Sequence, residues 1–286
     1  MWSAVWAELV AGRDRLTRRP RKTQHMEDNS LMRDEASAAA GLLAELPDGY
    51  LASVQDYHRL AFAVVGEARR AATGRFGLRS LKRGFGTPVF DVAMGRAGEM
   101  ECQVWIAGDE LFATEGGVQR STHITTLDAA AEFVGVSPGT QAREHDSPEL
   151  GDTDRWLRVN TEVGEHLVAW FRLGADVLEQ LSALPGAVNA GEIQLWPGHF
   201  DIATAIGDAE SGKRATYGLS PGDAAHPFPY AYVGPWGEVD RSDPFWNDDA
   251  FGGASLTYAE MVMAANPADA AFEFLLAGFD SINPEP

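Results

Sequence analysis

The feature that most constrains the fold is a long apolar stripe between residues 163 and 184. Its members recur in steps of three and four: Val163, Leu167, Trp170, Gly174, Val177, Leu181 and Leu184. This spacing predicts a long helix that must bury one whole face. Segments 192–206, 213–219 and 229–235 follow and predict strands, and residues 267–282 predict a closing helix with Pro267 near its start.

The part of the chain before this helix has the same order of elements. Asp48 is a candidate cap for a helix to about residue 72, and a shorter helix is predicted at 35–46. Alternating segments between residues 88 and 115 predict an antiparallel meander, and a helix at 125–135, capped by Thr126, closes the unit. Together these patterns predict an α+β fold in which long helices pack on antiparallel sheets.

The two closing helices indicate an internal duplication. DAAAEFVGV at 128–136 and DAAFEFLLA at 269–277 align without a gap. We therefore predict a first α+β half at 31–138, a linker or long connection at 139–155 and a second half at 156–286, either as two units or as one continuous domain. The alternative is a chance similarity between two alanine-rich helices.

The N-terminal segment, residues 1–30, has a different character from the rest of the chain. Its first apolar residues have helical spacing: Trp2, Val5, Trp6, Leu9 and Val10. Residues 1–25 carry a formal charge of +4, against -23 for the remainder. We predict an amphipathic, basic extension that docks on the acidic body of the protein, lies on a membrane surface or frays ahead of Met26.

Composition narrows the classes of function. A formal charge of -19 argues against nucleic-acid binding, because an acidic surface repels phosphates. Cys102 is the only cysteine, which excludes an intramolecular disulfide and favours a reducing, cytoplasmic location. No window approaches 18 uninterrupted apolar residues, so no membrane span is expected. The sequence also lacks the signatures of serine hydrolases, phosphate loops, zinc helices and dinucleotide-binding folds.

The stretch 192–206 is the best candidate for a functional site. It combines an apolar face with side chains suited to chemistry: Glu192, Gln194, Trp196, His199 and Asp201. We predict that Asp201, held by His199, acts as a base or an orienting acceptor in a metal-free pocket where the two halves meet. The alternative is a structural Asp201 that caps a turn or accepts hydrogen bonds from the backbone.

An aromatic segment lies just beyond this stretch. Alternation puts Phe228, Tyr230 and Tyr232 on one face, which suits a pocket wall, a protein interface or a core sheet face. Trp236 follows them. The predicted substrate-binding residues are Glu192, Gln194, Trp196, Tyr230, Tyr232 and Trp236.

Metal binding by the same stretch is a remote alternative. In an extended strand His199 and Asp201 would point to one face, as in iron sites with two histidines and one carboxylate, and His226 could be the third ligand. However, only 24 residues separate Asp201 from His226, which is short for the jelly-roll oxygenases that use this pattern. We therefore predict neither a metal site nor a cofactor.

Two other histidines and one acidic run have simpler interpretations. His58 lies within an apolar helical stripe and is predicted to be a core histidine with a hydrogen-bonded neighbour. His166 flanks the stripe of the long helix, where packing is expected. The run DRSDPFWNDD at 240–249 lacks the spacing and glycine of a calcium loop and is predicted to be a solvated acidic loop.

The order of motifs also resembles a family. Between residues 88 and 282 the chain has, in order, ITTLDAAAEFVG, HLVAWFRLGADVLEQL, QLWPGHFDIATAIG, PYAYVGPWG and LTYAEMVMAANPADAAFEFLLAGF. This order resembles a bacterial, largely actinobacterial domain of unknown function. The resemblance implies that the Phe200-Asp201 pair is typical and that position 199 need not be histidine, which argues against His199 as an essential metal ligand. It implies no reaction.

Two functions therefore remain open. The first is a small-molecule binder or metal-independent enzyme of bacterial, specialised metabolism, lined by Trp196, His199, Asp201, Tyr230 and Tyr232. The second is a protein-interaction module or a subunit of a complex, in which the aromatic side chains form a contact surface. A concave cleft around His199 and Asp201 would favour the first, and a flat exposed aromatic patch the second.

Overall fold

Helices and two antiparallel sheets build the protein, so the predicted α+β fold is confirmed. The computed structural model describes residues 45–94, 98–139 and 147–283. The predicted N-terminal extension, most of the helix at 35–46 and the centre of the predicted linker lie outside these residues.

The first helical segment is interrupted by a wider turn. Helix α1 (Tyr50–Leu60) continues into a π-helical turn (Ala61–Gly66) and then into α2 (Glu67–Thr73). The prediction that Asp48 caps this helix was wrong, because Gly49 occupies the N-cap position at φ 74° and no side chain caps it. The π-turn lies beside Gly139, whose N–H donates to the carbonyl of Ala63 at 2.8 Å.

The first sheet has six strands. They are β1 (Arg79–Leu81), β2 (Gly84–Gly86), β3 (Phe90–Ala93), β4 (Glu99–Ala107), β5 (Glu110–Glu115) and β6 (Val118–His123). The sheet order is β1-β2-β4-β5-β6, and β3 also pairs with β4. The sequence predicted β3, β4 and β5 but missed the β1–β2 hairpin and the exposed edge strand β6.

Two helices connect the sheets. Helix α3 (Leu127–Val134) begins as predicted, with the Thr126 hydroxyl accepting from the N–H of Ala129 at 3.0 Å. The long helix α4 (Thr161–Ser182) is capped by Asn160. Its predicted stripe is buried from Val163 to Leu181, and Leu184 lies just beyond its end.

The second sheet is a meander of five strands. They are β7 (Gln194–Trp196), β8 (Asp201–Asp208), β9 (Lys213–Ser220), β10 (Tyr230–Pro235) and β11 (Ala254–Thr257), and β11 was not predicted. The sheet order is β11-β10-β9-β8-β7. Helix α5 (Tyr258–Met263) follows, and α6 (Pro267–Ile282) has the predicted bounds.

The sheets meet at one bridge and share one helix. Leu78, just before β1, exchanges two backbone hydrogen bonds with Leu195 of β7, at 2.7 and 3.0 Å. Helix α4 packs against β1, β2 and β4 of the first sheet and against β8 and β9 of the second. One apolar core therefore extends across both sheets. Each sheet is preceded and followed by helices in the predicted order, and the duplication itself stays a prediction.

The second sheet has one face against helices and one face away from them. Ile202 and Leu219 pack at Gly174 of α4, and Val233 packs at Gly278 of α6. Because side chains alternate along a strand, Asp201 and Tyr232 lie on the opposite face. We call this the outer face of the second sheet.

A helix that crosses a membrane must be both long and strongly apolar. Within residues 45–94, 98–139 and 147–283, none combines the necessary length and hydropathy.

Candidate functional site

A tight turn positions the candidate site. Trp196 and Asp201 are opposite each other in the β7–β8 hairpin, and the N–H of Phe200 donates to the carbonyl of Trp196 at 2.7 Å. Phe200 has φ 58°, a left-handed conformation that a bulky residue rarely adopts. Such a conformation costs about 1–3 kcal/mol and persists only where surrounding contacts impose it.

Those contacts come from the first sheet and from helices α1 and α4. The Phe200 ring is fully buried and lies against Phe85 of β2 and Phe171 of α4, with ring centroids 5.7 and 5.2 Å away. The imidazole of His58, on α1, stacks on the other side at 5.3 Å. Phe200 is therefore an anchor that turns the following residue, Asp201, towards the outer face.

His58 also holds the backbone of this turn. Its Nε2 lies 2.9 Å from the carbonyl oxygens of both Pro197 and Gly198. Burial lowers the pKa of His58 to about 4, although the two carbonyls oppose this effect. The predicted hydrogen bonding of His58 to neighbouring residues is confirmed, the neighbours belong to the candidate site, and the side chain itself is partly buried.

The placement of His199 differs from the prediction. His199 lies in the turn, one residue before the left-handed Phe200, and β8 begins only at Asp201. The two side chains therefore do not share a strand face, and the geometric premise of the iron-site alternative was wrong. His199 is exposed, and its charge favours the ionised form of Asp201.

Asp201 is paired with Tyr232 across the outer face. The Tyr232 hydroxyl donates to Oδ2 of Asp201, spanning from β10 to β8. The tyrosine ring crosses Gly218 of β9, where a Cβ atom would lie 2.6 Å from the ring. Because glycine has no side chain, the Tyr232 ring can pass over this position and reach the carboxyl group.

The second carboxyl oxygen of Asp201 is unsatisfied. Asp201 is only 6% exposed, and no other described residue donates a hydrogen bond to its Oδ1. Burial raises the pKa of Asp201, against the opposing effects of the Tyr232 hydroxyl, the His199 charge and its own backbone N–H, and the Asp223 charge adds to the rise. Burial and the Asp201 charge likewise hold the pKa of Tyr232 well above its usual value.

A second tyrosine–aspartate pair lies beside the first. Tyr230 donates to Oδ2 of Asp223 at 2.6 Å, and the rings of Tyr230 and Tyr232 are 5.9 Å apart. Burial, followed by the bond to Asp223, raises the pKa of Tyr230. We call Asp201, Asp223, Tyr230 and Tyr232 the acid–tyrosine cluster.

His226 extends the cluster. Its Nε2 lies 2.9 Å from Oδ2 of Asp248, its Nδ1 lies 3.9 Å from Oδ1 of Asp223, and its ring packs 4.6 Å from that of Tyr230. The prediction of a solvated loop at 240–249 was therefore wrong for Asp248, which is buried. It was also wrong for Trp246, which is 6% exposed.

Exposed aromatic side chains adjoin the cluster. Trp196, opposite Asp201, is 40% exposed, and Phe251 is 41% exposed and packs edge-on against Tyr232 at 5.9 Å. Phe228, just before β10, is more exposed still. The outer face thus offers apolar surface next to a buried carboxyl group.

The other predicted binding residues lie elsewhere. Glu192 pairs with Arg79, and the Gln194 side chain occupies the space beside Gly77, so both connect the two sheets. Trp236, at the far end of β10, donates to the Thr216 hydroxyl at 2.9 Å. The structure therefore brings together Trp196, Asp201, Tyr230 and Tyr232, with His199 at the adjoining turn.

A surface hollow of about 440 Å³ lies near Lys213, Glu238, Asp240 and Ile282, and no predicted site residue lines it. Nowhere in the described part of the chain do three histidine, cysteine or acidic side chains form a group able to hold a metal ion.

Three members of the site were not predicted as binding residues: Asp223, Asp248 and Phe251. Asp223 begins a polar turn, and its Oδ1 accepts from the N–H groups of Ala225 and His226. An aspartate at this position of a turn is the only feature that the sequence offers there. Its pairing with Tyr230 depends on the path of the loop, which no sequence pattern indicates.

Comparison with known proteins gives no relative from which a role could be transferred: no family model, no curated protein and no solved structure matches this chain.

Proposed function

We propose that this protein binds a small molecule on the outer face of the second sheet, at Asp201. One observation carries the proposal: Oδ1 of Asp201 is buried and accepts no hydrogen bond from any other described residue. An unsatisfied buried acceptor costs about 1–3 kcal/mol, and more when it is charged. A donor group of a ligand would remove this cost. Perturbed buried carboxyl groups of this kind concentrate at functional sites.

The surrounding residues have distinct roles in this proposal. Tyr232 holds Oδ2 and so fixes the orientation of the carboxyl group. Trp196 and Phe251 supply apolar contact area at the edge of the site. Because burial raises the pKa of Asp201, its carboxyl group accepts a proton more readily than an exposed aspartate does, which suits proton exchange with a bound molecule.

A thermal-shift screen of a metabolite library tests the proposal. Wild type is compared with Asp201→Asn, which keeps an acceptor for Tyr232 but removes the carboxylate. Asp208→Asn, at the opposite end of the same strand, is the matched control. A ligand of the folded state raises the melting temperature by mass action. We expect at least one compound to stabilise wild type and Asp208→Asn but not Asp201→Asn.

Two results contradict the proposal. One is that no compound shifts wild type. The other is that every compound that shifts wild type shifts Asp201→Asn equally, which places binding elsewhere on the protein.

A protein-binding function is the second candidate, favoured by a different observation. Phe228 and Trp236 are 53% and 59% exposed and project from loops and strand ends of the second sheet. Aromatic side chains in such positions are typical of interface centres. Sedimentation velocity over a range of concentrations tests self-association. Association that is lost in Phe228→Ser and Trp236→Ser, with Asp201→Asn unaffected, would support this function over the first.

A further inference from the structure

We propose that the ligand of the outer-face site is an organic cation, with an ammonium group carried on an apolar body. This inference rests on the proposed function and names its ligand class. Three independent properties of the acid–tyrosine cluster and its neighbours lead to it: the sign of the local charge, the direction of the missing hydrogen bond and the aromatic surroundings.

The first property is the local charge. Asp201, Asp223 and Asp248 lie around Tyr230 and Tyr232, and their basic neighbours are the histidines at positions 199 and 226. Within the described residues, no arginine or lysine is paired with any of the three carboxyl groups. Like charges that share a site repel an anion and attract a cation.

The second property is the unsatisfied atom. In the ionised form of Asp201, which a cationic partner favours, Oδ1 is an acceptor and its missing partner is therefore a donor. An ammonium N–H donor makes a charge-assisted hydrogen bond, which is roughly twice as strong as a neutral one. Asp201 is more than nine-tenths buried, and therefore an ionic partner would also offset the desolvation of the carboxylate.

The third property is the aromatic surface. Tyr232 contacts the rings of Tyr230 and Phe251 at 5.9 Å in each case, and Trp196 lies opposite Asp201 on the neighbouring strand. Aromatic faces attract cations, tryptophan most strongly, while their edges and carbon frameworks accept apolar groups. A carboxyl group with rings around it thus suits a cation that also carries apolar carbon.

Isothermal titration calorimetry on the full-length chain tests this ligand class. The probes are benzylammonium, tryptammonium and putrescine, with benzyl alcohol and benzoate as the neutral and anionic counterparts of the first. Benzyltrimethylammonium keeps the charge but has no N–H donor. We expect at least one primary ammonium probe to bind wild type, benzyl alcohol to bind at least tenfold more weakly than benzylammonium, and benzoate not to bind.

Variants locate the site. Asp201→Asn should weaken ammonium binding at least tenfold and Trp196→Ala severalfold. Asp208→Asn and Trp156→Ala are matched controls, since Asp208 ends the same strand and Trp156 is an exposed tryptophan outside the second sheet, and both should leave binding unchanged. Binding of benzyltrimethylammonium as tight as that of benzylammonium would overturn the assigned contact with Oδ1.

The inference and the proposed function can fail separately. If the ammonium probes do not bind, but neutral or anionic library compounds stabilise wild type and not Asp201→Asn, the ligand class is wrong and the binding function stands. If no compound of any class depends on Asp201, both are wrong. Ammonium binding that survives in Asp201→Asn overturns this inference directly.

Discussion

His58 stacks flat on Phe200, with the ring planes 6° apart and the centroids at 5.3 Å. The two residues belong to different parts of the chain, one to helix α1 and the other to the turn before β8. The same imidazole holds the carbonyls of Pro197 and Gly198. A histidine of the first helical segment therefore fixes the turn from which Asp201 emerges.

Replacing His58 with glutamine should remove an acid-sensitive contribution to stability. Burial keeps the folded-state pKa near 4, below the usual 6.5, so the unfolded chain binds a proton first as the pH falls. This contribution is intact above pH 6.5 and is lost as the pH falls towards 4, by about 3 kcal/mol in total. Urea unfolding of wild type and His58→Gln at several pH values measures the difference.

Glutamine keeps a donor for the turn but not the stacked ring. His58→Gln should accordingly be less stable than wild type at pH 7, and the gap should narrow as the pH falls to 4. An exposed histidine, His123, provides the control, and His123→Gln should keep the wild-type pH dependence. A constant gap between wild type and His58→Gln across this range would contradict the assigned pKa.

Much of the helical framework follows from local pattern. The apolar stripe from Val163 to Leu184 predicted α4, and the pattern at 267–282 predicted the bounds of α6, because a long run of apolar residues at helical spacing has few other ways to be buried. Short strands are harder to predict from the sequence. The strand β11 has four residues and β1 has three, too few for alternation to stand out from chance.

The site itself could be predicted only in part. The sequence indicated Asp201, Tyr230 and Tyr232, because polar and aromatic side chains on strands of one meander tend to meet, although β9 separates the two strands. It misplaced His199, since the left-handed conformation of Phe200 is imposed by rings distant in sequence. Tertiary contacts of that kind override the local preference of a residue and leave no local pattern.

Gly218 should be intolerant of any side chain. In Gly218→Ala the new Cβ would overlap the Tyr232 ring and displace its hydroxyl from Asp201. Overpacking of this kind costs about 1–3 kcal/mol. Gly234→Ala is the matched control on β10, because its Cβ would meet no atom closer than 3.9 Å. It should be neutral or stabilise by about 0.5 kcal/mol, as expected for replacing glycine within a strand. Equal destabilisation of the two variants would contradict the packing argument.

Asp56 should hold the segment before α4 against helix α1. Its carboxyl group accepts from Arg59 at 3.2 Å, from Nη1 of Arg155 at 3.0 Å and from the N–H of Arg158 at 2.8 Å. Asp56→Asn leaves the nearly buried guanidinium of Arg59 without a counter-charge. We expect a loss of about 3 kcal/mol, the lower end for a broken buried pair because Arg155 is partly exposed.

The pH dependence of Asp56 gives an independent check. Burial alone would raise its pKa, but the hydrogen bonds from Arg155, Arg158 and Arg59 outweigh burial and lower it. The contribution of Asp56 to the free energy of unfolding is therefore present above its unfolded-state pKa near 3.8. It is lost as the pH falls through the lower folded-state pKa. Asp56→Asn should show less acid destabilisation than wild type, whereas the exposed control Asp154→Asn should follow wild type.

Asp201 should show the opposite pH dependence. Its folded-state pKa is raised, so the folded protein retains this proton at pH values where the unfolded chain has lost it. The contribution of Asp201 to stability is therefore greatest at low pH and is lost as the pH rises through its folded-state pKa. Asp201→Asn mimics the protonated form, and so its melting temperature should exceed that of wild type at pH 8 and approach it near pH 4. Each kcal/mol of difference in stability should shift the melting temperature by roughly 2–4 °C. A melting temperature below that of wild type at pH 8 would mean that the ionised carboxylate stabilises the fold, and Asp201 would then be a structural residue.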